Sequence, residues 1–202
     1  MAKEAPEKTG AAWVGETFVR EFWQLVKLNV LCLLCCLPVV TFGVARAAMA
    51  RCTVNMARDV PNDVWTDFLA ALRQDTVRNL LCGLAELALL WMGVMLVTAD
   101  GFFPALLGML LLCVTAAFFQ NFWAVQAAVD IPFAAAAKNA WLLCLLRPGM
   151  TVLGLGVNAL LLIPAVLFFP LSLPYVLLFP CGLSGFASGM IGWSSCKRYL
   201  IR

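Results

Sequence analysis

The chain has 202 residues, of which 63% are hydrophobic and 12% charged, and its mean hydropathy is +0.93. A soluble domain of this size needs a wetted polar surface that these proportions do not supply, so the composition points to one polytopic membrane domain. The net charge is +3, and the basic residues neither cluster nor interleave with aromatic side chains, which leaves no footing for a nucleic-acid interface.

Nine cysteines without a histidine exclude the common Cys/His zinc patterns. Most of them, Cys32, Cys35, Cys36, Cys82, Cys113, Cys144 and Cys181, lie in apolar runs and read as small membrane hydrophobes. Cys32 and Cys35 have C-x-x-C spacing, but no polar residue accompanies them, and an odd cysteine count argues against a complete disulfide framework. No metal and no cofactor is expected.

In chain order, residues 1–12 form a polar, alanine-rich tail with the composition of disorder, and 13–202 form the single domain. From Trp13 the pattern is amphipathic, with Phe18, Phe22, Trp23 and Val26 among Glu16, Arg20, Glu21 and Lys27, as in a helix at a membrane interface. The run Lys27 to Gly43 is an apolar segment broken at Pro38, whose ring and missing N–H disturb the preceding turn. Thr41 follows as a hydroxyl able to satisfy freed carbonyls, and Gly43 as a residue tolerant of unusual dihedrals.

A mixed stretch follows, with Arg46, Arg51, Asn55, Arg58 and Asp59 in an Ala, Met and Val background. Asn62 is a candidate N-cap for an amphipathic helix with Asp63, Asp67, Gln74 and Arg78 on one face and Trp65, Phe68, Leu69 and Leu72 on the other. The whole connection is expected along the membrane surface. Spans are predicted at 80–97 and 102–123, joined by a tight corner at Asp100, then at 151–169 and 173–193, joined by a corner at Pro170, Ser172 and Pro174. Between the two pairs, Ala134 to Leu146 reads as a further interfacial helix. The expected fold is therefore an all-α transmembrane bundle of about five membrane segments with interfacial amphipathic helices.

Lys and Arg set the orientation: the corners near Asp100 and Ser172 hold none, whereas the 46–78 connection, the 125–148 connection and the C-terminus are basic. Those three regions are expected on the cytoplasmic side of the cell membrane. Lys3, Lys8, Arg20 and Lys27 would lie outside if the first segment crosses fully, and inside if it is re-entrant at Pro38. The roughly 18 apolar residues around the break favour a full span.

Glu86 is the one carboxylate well inside an apolar span, where an ionisable group is costly and is by default a functional-site candidate. The competing reading is a neutral, hydrogen-bonded acid about two turns inside the cytoplasmic boundary. Asn29, Thr41, Asn121 and Asn158 are the other polar residues in or beside apolar runs, and could line a shared polar cavity with Glu86 or simply bond between helices. Gly182, Gly185, Gly189 and Gly192 share a helix face suited to close packing, within the chain or between two copies. With no histidine, no paired carboxylates in a span and no phosphate loop, no catalytic set emerges, and the chain is not expected to be an enzyme.

The run NVLCLLCCLPVVTFG from Asn29 to Gly43, the small residues Ala45, Ala47 and Ala48, and Asp67-Phe68 opening an amphipathic helix resemble the YesL-like bacterial membrane proteins, a family of unknown function. Weaker matches continue at Asp130 and Lys138-Asn139-Ala140. Some members are encoded beside carbohydrate-uptake systems, so the resemblance implies an accessory role with a carbohydrate transporter permease as partner. A small independent transporter is the alternative, and homo-oligomers fit either reading.

Overall fold

The computed structural model describes residues 11–60, 63–129, 131–168 and 173–199, and these are helical throughout apart from the connections between helices. The expected tail up to residue 10, the candidate cap Asn62, Asp130, and Pro170 and Ser172 of the last corner lie outside the described residues.

α1 is one uninterrupted helix, Ala11–Cys36, so the interfacial lead and the apolar run form a single rod. It stops where expected: Leu37 and Pro38 leave the helix, and Val39–Thr41 make one 3-10 turn. Thr41 Oγ1 donates to the carbonyls of Cys35 and Pro38, the latter at 2.7 Å, and so satisfies acceptors that the break exposes. α2, Phe42–Ala57, then runs back along α1.

The ends of this hairpin meet. Arg20 Nη2 lies 2.6 Å from Asp59 Oδ1, although 39 residues separate them. The pair is half exposed and contributes little stability, but it fixes the geometry. Glu21 and Asp59 together hold the Arg20 guanidinium above its usual pKa through hydrogen bonds to its charged form. Arg20 therefore lies on the same side as Asp59 of the 46–78 connection, not on the opposite side: the chain goes out along α1 and returns along α2.

α2 is also not a surface connection but the centre of the molecule. Ala45, Ala48 and Val54 are fully buried, and the helix contacts α1, α3, α4, α5 and α9. Its small residues let neighbours come close, and Thr53 hides its hydroxyl by bonding the Met49 and Ala50 carbonyls. Gly43 is helical, with no unusual dihedral, and its function is contact: a Cβ there would lie 2.6 Å from Gly83 Cα.

α3, Val64–Arg73, buries Val64, Phe68 and Ala71, while Trp65 and Leu69 are exposed. Its inner face is thus one position round from the expected one. Asp75, in the left-handed region at φ 51, separates it from α4, Thr76–Thr98, so that Arg78 belongs to the next helix. α4 and α5, Phe102–Ala128, form the expected hairpin, turned at Gly101, whose φ of +119 is tolerated by glycine.

α6, Phe133–Leu146, meets α7, Pro148–Leu167, at a 97° bend. α8, Leu173–Leu178, and α9, Pro180–Tyr199, complete the bundle. Among the described residues, α4 and α5 are long and apolar enough to cross a membrane, and the bent α6–α7 pair is a third candidate if taken as one span. About five segments were expected; charges along α1 and serines and glycines along α9 dilute the apolar run that a span requires.

Candidate functional site: a paired polar core around α2

The helices bring an ion pair to the middle of α4. Glu86 is 4% exposed and stands halfway along a helix about 34 Å long. Its Oε1 lies 3.3 Å from Arg46 Nη2 on α2, and its Oε2 accepts a 2.8 Å hydrogen bond from Trp123 Nε1 on α5. Glu86 thus has both a basic partner, Arg46, and an N–H donor, Trp123, at mid-helix. The crossing of Gly43 over Gly83, one turn away, lets α2 approach closely enough to deliver Arg46. The guanidinium also lies 5.7 Å from the Phe42 ring centre.

A second polar group adjoins the first. Asn158 on α7 donates to Gln120 Oε1 at 3.2 Å and to Ser188 Oγ at 3.1 Å, and accepts from Ser184 Oγ at 2.8 Å. Between the two groups lies a cavity of about 20 Å³, lined by Arg46, Gln120, Trp123, Ser184 and Ser188, with Gly185 and Gly189 as backbone wall.

The five polar residues singled out in the sequence do not share this cavity. Glu86 reaches it through Arg46 and Trp123, and Asn158 through Gln120 and the two serines. Asn29 is fully buried elsewhere, donating to Val176 O at 3.0 Å and accepting from Gly182 N at 2.9 Å, so it ties α1 to the start of α9. Asn121 donates to Ala117 O, Cys144 Sγ and Thr151 Oγ1, and Thr41 serves the break after Pro38.

The glycine face of α9 is occupied from within the chain. A Cβ on Gly182 would lie 2.7 Å from Leu25 O, one on Gly185 2.7 Å from Met49 Sδ and one on Gly189 2.8 Å from Thr53 Cβ, while Gly192 abuts Ala124. α9 thus presses this face onto α1, α2 and α5, where a second copy of the chain has no access.

The Cys32 and Cys36 sulfurs, one helical turn apart, lie 4.0 Å from each other, and all nine cysteines are free thiols. Among the described residues no three His, Cys, Asp or Glu side chains stand together as a metal site.

Arg46, Trp123, Gln120, Ser184 and Ser188 are the site residues that the sequence did not nominate. A buried carboxylate demands a partner, and Arg46, set between Ala45 and Ala47, was the available signal for one. Ser184 and Ser188 looked like ordinary members of a glycine-rich helix.

No curated protein and no solved structure matches the chain. Residues 25–100, which run from within α1 through α4 and include Arg46 and Glu86, match the model of a family described as a protein of unknown function, DUF624.

Proposed function

We propose that this chain is a multi-pass protein of the bacterial cytoplasmic membrane, its C-terminus on the cytoplasmic side, that acts through protein contacts as an accessory to carbohydrate uptake and catalyses no reaction. The observation that carries this reading is the state of the polar interior. Glu86, Arg46 and Trp123 bond among themselves, as do Asn158, Gln120 and the two serines, and the pocket between them has about 20 Å³ of water-sized space. The carbohydrate partner rests on the YesL-like resemblance of the Asn29 to Gly43 run.

The mid-helix position of the Arg46–Glu86 pair favours the second reading, a small transporter, because ionisable groups at such depth mark ion and substrate pathways in many carriers. Purification of the tagged protein from native membranes in mild detergent separates the two. Stoichiometric recovery of a carbohydrate permease, absent from a control membrane protein of similar abundance, is the expected result. Recovery of the protein alone, together with solute flux in vesicles reconstituted from it, would overturn the accessory reading in favour of transport.

A further inference from the structure

The cavity beside Arg46 has a hydrogen-bonding pattern that specifies its occupant. A guanidinium carries five N–H donors. Arg46 gives one nitrogen to Glu86, its side chain is 25% exposed, and it lines the cavity. Ser188 Oγ already accepts from Asn158 Nδ2, so its own hydroxyl proton is left to donate. Ser184 is the reverse: its proton goes to Asn158 Oδ1, and its lone pairs are left to accept. The wall thus offers two kinds of donor, guanidinium and hydroxyl, and one acceptor.

We propose that this pocket, open on one side, is a hydration site beside the Arg46–Glu86 pair, holding one or two waters that accept from Arg46 and Ser188 and donate to Ser184. Three observations converge on water rather than another small ligand. The volume of about 20 Å³ exceeds the ~10–15 Å³ that one water needs and matches one or two waters. The lining supplies three hydrogen bonds of the right polarity, the usual complement of a buried water. Glu86, 3.3 Å from Arg46, cancels the guanidinium charge, so the site has no net attraction for an anion. A water there solvates the outer side of the ion pair in a region that α4 otherwise places among apolar side chains.

Hydroxyl-radical footprinting by X-ray pulses tests this in the full chain in nanodiscs, because radicals formed from bound water oxidise the side chains beside it even where bulk solvent does not reach. Met49 and Trp123 line the cavity and are 6% and 3% exposed. Both are expected to be oxidised in proportion to dose. Ala50→Val, which fills the cavity from the α2 side, and Ser188→Ala, which removes one hydroxyl with little change of volume, should each lower that oxidation several-fold and leave the exposed Trp65 unchanged. Unmodified Met49 and Trp123 in the native protein would overturn the proposal, and so would labelling that persists undiminished in both folded variants. The readout involves neither a permease nor a sugar and is independent of the accessory reading.

Discussion

Replacing Arg46 and Glu86 singly and together measures whether the central pair behaves as one unit. At 3.3 Å the two charges attract by about 5 kcal/mol at an effective dielectric constant of 20, before the opposing desolvation is counted. Arg46→Met leaves the buried Glu86 charge without its partner, and Glu86→Leu leaves Arg46 and the Trp123 N–H without an acceptor, so each single change should cost about 3 kcal/mol. The double variant removes both charges and should cost about 2 kcal/mol less than the sum of the singles. Glu86→Gln keeps an oxygen for Trp123 and should fall between native and Glu86→Leu. Reversible unfolding in bicelles, followed by steric trapping, gives the four free energies. Strict additivity would refute the idea that the pair joins α2 to α4, and a stabilised Arg46→Met would refute the charge argument altogether.

Other substitutions check separate features of the packing. Gly43→Ala should destabilise by about 1–3 kcal/mol through collision with Gly83, whereas Gly149→Ala, with open space around it, should be neutral or slightly stabilising; thermal denaturation of the two distinguishes close contact from generic glycine flexibility. Thr41→Val should cost about 1 kcal/mol and raise proteolytic cleavage near Pro38, since two carbonyls lose their donor. Epitopes placed before Ala11 and after the C-terminus should be accessible from the same membrane face, because Arg20 meets Asp59 while the neighbouring Arg58 stacks 4.3 Å over Trp193 near the end of α9; accessibility from opposite faces would contradict the α1–α2 hairpin.

Local chemistry in the sequence carried much of this fold. The ring of Pro38 and the hydroxyl of Thr41 identify the break and its repair, and the apolar runs on either side of Gly101 identify the α4–α5 hairpin. The direction of the chain after the break was not legible, because it depends on Arg20 meeting a residue 39 positions away. α2 was misplaced for a related reason. Arg46 looks like a surface residue until its partner Glu86 on a distant helix is known, and the buried Thr53 satisfies its hydroxyl on carbonyls of its own helix. Glu86 and Asn158 were visible as polar residues in apolar runs, but the partners of each come from other helices, and nothing in the spacing of one helix selects them.

The α1–α2 hairpin turns back at the level of Gly83 and Glu86, halfway along α4. Beyond that level the α4–α5 hairpin continues with Trp91 67%, Phe102 75% and Phe103 81% exposed. These side chains have no cover from α1 or α2 and form an exposed apolar tip around Gly101. Where α4 and α5 cross a bilayer, that tip meets lipid with aromatic rings, so the hairpin can be anchored there without any charged group near Gly101 other than Asp100.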